Sequence, residues 1–196
     1  MNYLGHAFLS FGVADILTGN MIADHVKGKI ALGNFPEGIK KGILLHRKID
    51  EHTDLHPATL RAKLLFREDY GLYSGPIIDT LYDHFVATDP ALFGSPEALK
   101  AFTVHTYSQL ESNEQYFPPK FAQYFPSMKE HDWLYHYRTL KGMERALGGL
   151  VRRAEHMPAA DKAYEIFVTN YYQLHQCYFE FIDDMISFVK NERLDV

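Results

Sequence analysis

A single cysteine, Cys177, in 196 residues has no partner for an internal disulfide and fits a reducing compartment. It stands among Tyr and Phe residues in an apolar stretch, where a buried structural thiol is expected rather than a nucleophile. A basic field is missing as well. The net charge of −5 argues against a general nucleic-acid binder. No run approaches the ~18 apolar residues of a membrane span. Met1–Leu17 is apolar but lacks a basic start and carries His6 and Asp15, so it does not read as a signal peptide. A soluble, cytoplasmic protein is expected. Repeats, low-complexity tracts and Gly/Ser linkers are absent, and alternation of period two never holds for long.

Apolar residues recur instead at spacings of three and four, which predicts an all-α, single-domain helical bundle over residues 1–196. Its core is expected to be ring-filled, with 14 Phe and 13 Tyr beside one Trp. The spacing predicts helices within Asn2–Ala14, over Thr18–Val26, Pro36–Asp54 and Ala58–Phe66, from Pro76 onward, and over Glu97–Tyr116. Gly28, Gly33, Asn34 and Pro36 break the chain, and Gly71 to Gly75 forms a loop. The prolines at 118, 119 and 126 make Gln115–Ser127 the least regular stretch. Two long helices, Asp132–Arg153 and Pro158–Asn191, complete the expectation.

Within the first 84 residues, four pairs of metal-competent or hydrogen-bonding side chains stand four apart: Asn2 with His6, Asn20 with Asp24, His46 with Asp50, and Asp79 with Asp83, which His84 follows directly. On a helix such a pair shares one face, with Cβ atoms roughly 5–6 Å apart. Four such faces brought together converge carboxylates and imidazoles on one point, the way helical proteins build a hydrolytic metal centre. His46 and Asp50 can reach one divalent cation, and Arg47 beside them can neutralise a phosphate. Asp79 and Asp83 repel each other unless a cation or proton lies between them, in a setting of Ile77, Ile78, Leu81, Tyr82 and Phe85. Oxygen ligands mixed with imidazole favour Mn²⁺ or Mg²⁺. His105, His131, His136, His156 and His175 read as structural or exposed.

The motifs Asn2-Tyr-Leu-Gly-His6, Gly19-Asn20-x-x-Ala23-Asp24, His46-Arg47-x-Ile49-Asp50 and Pro76-x-x-Asp79-x3-Asp83-His84-Phe85, taken in order, resemble the acyl carrier protein phosphodiesterases. Trp133-Leu134-x-x-Tyr137-Arg138 and Gly149–Arg153 are similar to that family too. The resemblance implies a helical fold related to the HD-domain phosphohydrolases and a manganese-dependent hydrolysis. The bond cut would join 4′-phosphopantetheine to a serine of holo-acyl carrier protein. It further implies Asp24 as an essential metal-site acid, with His6, His46, Asp50, Asp83 and His84 at motif positions of the metal site. Asn2, Asn20 and Asp79 are expected to brace those ligands, and Arg47 to act on the phosphoryl oxygens. The alternative is a metal-dependent phosphohydrolase of a nucleotide or another small phosphoester. His25 departs from the family pattern, which has an apolar or aromatic residue after the acid.

An acidic carrier protein calls for a local basic surface. His25–Arg67 holds nine Lys or Arg (Lys27, Lys29, Lys40, Lys41, Arg47, Lys48, Arg61, Lys63, Arg67) against four acids. Lys40, Lys41 and Lys48 are its expected carrier-binding residues.

Overall fold

The computed structural model describes residues 1–194, and the side chains of all of these except 29–31 and 193–194. The helices are α1 (Tyr3–Phe8), α2 (Ala14–Ile22), α3 (Gly28–Gly33), α4 (Glu37–Leu55), α5 (Pro57–Tyr70), α6 (Ser74–Thr88), α7 (Pro90–Phe93), α8 (Pro96–Glu111), α9 (Pro119–Glu130), α10 (Trp133–His136), α11 (Leu140–Arg153), α12 (Ala160–Thr169) and α13 (Tyr171–Leu194). Short 3₁₀ turns cover Ala23–His25, Gly71–Tyr73 and Glu114–Tyr116. Among the described residues there is no strand, so the all-α expectation holds.

Local chemistry sets several helix starts. Pro57, Pro90, Pro96 and Pro119 occupy first-turn positions, where a missing N–H costs nothing. Ser95 Oγ accepts from Ala98 N, Asp89 from Ala91 N and Thr139 from Gly142 N. This corrects the irregular reading of Gln115–Ser127: Pro119 opens α9, and the helix runs on through Pro126. The helix expected over Asp132–Arg153 is two, because Asp132, at φ 41°, caps α10 and Thr139 starts α11 afresh. The one expected over Pro158–Asn191 breaks at Asn170, whose Nδ2 donates to Ile166 O. A short helix, α3, also fills the stretch expected to be broken by glycines.

Helix α6 is the axis of the molecule. Ile77, Ile78, Leu81, Tyr82, Phe85 and Val86 are all buried, against α1, α5, α11 and α13. Phe85 packs its ring against Phe167, Tyr171, His175 and Tyr178. Removing a core ring of this kind costs about 3–5 kcal/mol. Cys177 is buried and free, and burial pushes its thiol pKa up. No described helix is long and apolar enough to cross a membrane.

The tightest packing is between α2 and α4. A Cβ on Gly19 would lie 2.1 Å from Ile39 O, and one on Gly42 would lie 2.3 Å from Ile16 O. The two backbones touch where only glycine fits, and this crossing fixes the site described next.

Candidate metal centre

Three helices and one turn supply the cluster. His6 comes from α1, Asn20 from α2, Asp24 from the 3₁₀ turn that continues α2, and His46 and Asp50 from one face of α4. The Gly19–Gly42 contact brings the backbone of Asn20 against His46, whose Nδ1–H donates to Asn20 O at 2.8 Å. Asn20 also holds the other ring. Its Nδ2 donates to His6 O and Ser10 Oγ, so its Oδ1 faces His6 Nδ1 as an acceptor, at 2.8 Å. Both imidazoles therefore carry a proton on Nδ1 and turn Nε2 outward, where a neutral ring offers its lone pair.

Those lone pairs converge on one carboxylate. His6 Nε2 is 3.1 Å from Asp50 Oδ1, and His46 Nε2 is 3.1 Å from Asp50 Oδ2. Asp24 Oδ1 approaches His46 Nε2 at 3.3 Å. The rings stack, with centroids 4.0 Å apart. One ligand atom from each of His6, His46 and Asp50 lies within 4.8 Å of the other two. Acceptors facing acceptors at such distances need a cation or a proton among them. Two imidazole nitrogens and carboxylate oxygens suit a borderline or hard divalent ion. The donor set thus fits a metal, and Asp24, with its side chain 67% exposed, marks the open side.

Without a metal, a proton takes that place on one ring only. Burial opposes protonation of His46, but Asp24 and Asp50 outweigh it and raise its pKa to about 9. Burial, and then the neighbouring His46, lower that of His6. Burial would raise Asp50, yet the two imidazoles hold it well below the usual carboxylate range. The hydrogen bond from His46 lowers Asp24.

The remaining expected site residues lie elsewhere. Asp83 is fully buried and accepts from the backbone N–H of Asn2, Leu4 and Gly5, at 3.2, 2.7 and 3.0 Å. It caps α1 by accepting the first N–H groups of the helix and is not placed as a metal ligand. Burial pushes it up to about 7 against those three bonds. His84 points away from the cluster: its Nδ1–H donates to Tyr137 O and its Nε2 accepts from Tyr171 OH. Asp79 accepts from the Met1 α-ammonium at 2.8 Å, and that ammonium is 3.8 Å from Asp50 Oδ1. The cation beside Asp79 is therefore this amine, whereas Asp83 is met by backbone N–H groups. Asn2 braces α1 by donating to Tyr137 OH. Arg47 donates to Val26 O just beyond Asp24, so it holds the turn that carries the acid.

The basic stretch is weaker than its composition. Lys48 pairs with Glu192, Arg61 with Glu180, and Lys63 with Asp54. Lys40 lies 3.7 Å from Glu37. Two of those acids come from α13, far along the chain. The Lys29 side chain lies outside the described residues.

One wall of the site was not legible. Tyr3 OH and Tyr124 OH share a hydrogen bond of 2.6 Å, and Tyr124 OH bonds His25 Nε2 at 2.8 Å. Tyr124 stacks on Trp133. Helix α9 thus closes over α1 beside Asp24. The aromatic richness of Gln115–Trp133 was the signal, but nothing local told which rings face the acid.

A family model described as acyl carrier protein phosphodiesterase matches residues 1–185. The acyl carrier protein phosphodiesterase of Photorhabdus laumondii is 28% identical over 192 residues, covering 98% of this chain and 96% of the relative. Those of Enterobacter sp. (strain 638) and Serratia proteamaculans (strain 568) are each 28% identical over 194 residues, covering 99% of this chain and 100% of the relative. No solved structure matches, so the HD-type relation finds no structural neighbour.

Proposed function

The chain belongs to the acyl carrier protein phosphodiesterase family, and from that premise we propose that it is a metal-dependent hydrolase of holo-acyl carrier protein. The bond cut is the phosphodiester between 4′-phosphopantetheine and a carrier serine. Water adds to phosphorus, and the serine oxygen leaves with a proton. The observation that carries the metal reading is the pair of Nε2 lone pairs that Asn20 turns onto Asp50.

His6, His46 and Asp50 would hold the ion, with Asp24 at its open side. A bound Mn²⁺ or Mg²⁺ supplies Lewis-acid polarisation of a phosphoryl oxygen and a lower pKa for water. The chain's own groups do the rest. Asn20 holds Nδ1 of both rings, which aims the Nε2 atoms at Asp50 and leaves them as the nitrogens that give up a proton to a metal. Asp24 stays anionic at neutral pH and faces solvent, where it can accept a proton from the attacking water. The Met1 ammonium, itself held by Asp79, pairs with Asp50. His25, Tyr124 and Tyr3 line the approach.

The test is incubation with holo-acyl carrier protein and Mn²⁺, following the mass of the prosthetic group, beside Asp24→Ala. Metal-dependent loss of the whole phosphopantetheine, absent in the variant, is expected. Turnover of a small phosphodiester with the carrier left intact would overturn the substrate. Full activity in chelator would overturn the metal.

A further inference from the structure

Two motif residues that the metal cluster does not use, His84 and Arg138, meet at a separate pocket. The pocket has a volume of about 410 Å³ and is lined by His84, Thr88, Arg138, Leu140, Val168 and Tyr171. It lies on the far side of Tyr137 from the cluster: the Tyr137 hydroxyl accepts from Asn2 Nδ2, whereas its carbonyl accepts from His84.

Its polar groups define a ligand. The Arg138 guanidinium rests on the Tyr135 ring, 4.5 Å from the centroid. No carboxylate among the described residues lies within salt-bridge reach of it, and its Nε is buried without a hydrogen-bond partner. An arginine stays charged at any physiological pH, and although the Glu97 carboxylate feels this charge, no anion among the described residues touches the guanidinium. His84 donates through Nδ1, so Tyr171 OH must donate to His84 Nε2, and Thr88 OH donates to His84 O. The two hydroxyl oxygens therefore keep lone pairs and act as acceptors. Leu140 and Val168 form an apolar rim, 45% and 44% exposed.

We propose that this pocket binds a phosphate monoester with an apolar tail. Bound as the monoanion, it sets its anionic oxygens against the terminal nitrogens of Arg138, its P–OH donates to a hydroxyl oxygen, and its tail lies on Leu140 and Val168. The site is independent of the metal cluster and of the reaction assigned to it.

Hexyl phosphate titrated calorimetrically into the metal-loaded protein tests this, with inorganic phosphate and hexanol as comparison probes. A phase at least tenfold tighter for hexyl phosphate than for either comparison probe is expected. It should persist in Asp24→Ala and vanish in Arg138→Gln. Val168→Trp, which fills the pocket from the exposed opposite rim, should remove it as well, with hydrolytic activity unchanged in that variant. A single phase that disappears with Asp24→Ala, or one that survives both pocket variants, would overturn the proposal.

Discussion

Replacing Gly19 by alanine adds one methyl group at the one place where α2 and α4 share backbone contact. The new Cβ would stand 2.1 Å from Ile39 O and 2.7 Å from Ile43 N, both immovable main-chain atoms. To reach the 3.4 Å of an ordinary contact the helices must part by about 1.3 Å. The next residue is Asn20, whose carbonyl holds His46 Nδ1 at 2.8 Å. The same shift would stretch that bond toward about 4 Å, past any hydrogen bond. His46 would then lose its tautomer lock, and α4 would carry Asp50 away from His6. Overpacking of this size costs about 1–3 kcal/mol of stability. A displacement near 1 Å at a reacting centre costs about 10²-fold in rate, and loss of an orienting bond costs about 10–100-fold in metal affinity. Mn²⁺ titration, carrier hydrolysis and urea unfolding of Gly19→Ala read all three. Gly33→Ala is the control, because its Cβ meets nothing within 4 Å. Metal affinity within twofold of the parent in a folded Gly19→Ala protein would refute the argument.

Asn20→Ala should lower metal affinity about 10–100-fold through His6 alone, since the bond to His46 comes from the backbone and survives; calorimetry with Mn²⁺ checks it. Metal must displace the His46 proton, whose pKa is raised to about 9, so affinity should climb about tenfold per pH unit up to about pH 9 and level off above it. In metal-free protein the sign reverses: the stability that the His46 cation contributes is complete below pH 6.5 and lost as pH rises through about 9, which denaturant melts in chelator would show. Lys40→Glu with Lys41→Glu should weaken carrier hydrolysis several-fold while sparing a small diester. An equal loss on both substrates would remove these lysines from carrier docking.

The helical class and most helix starts were legible because spacing and proline placement act locally. Glu37–Leu55, with Ile39, Ile43 and Ile49 inside, lies within a residue of its expected bounds. His6, Asn20, Asp24, His46 and Asp50 were found because polar side chains four apart (Asn2 with His6, Asn20 with Asp24, His46 with Asp50) advertise themselves. What stayed hidden was long-range. Asp83 and His84 carry the same residue types as the ligands, yet α6 turns Asp83 to the start of α1 and His84 to Tyr137 and Tyr171. Periodicity says which residues share a face, not which neighbour the face meets. Lys48 and Arg61 looked like a free basic surface for the same reason, because Glu192 and Glu180 answer them from over 100 positions away.

The cap on α1 has a consequence for how the chain comes into being. A six-residue helix is too short to persist by itself, and no side chain near its start caps this one. Its cap arrives with Asp83, 79 positions after Leu4. During synthesis α1 therefore lacks its cap until α6 has emerged, several seconds later at about 5–20 residues per second. His6 gains its seat only then. The cluster of His6, His46 and Asp50 is thus completed as a late tertiary event, after α4 and α6 are both present.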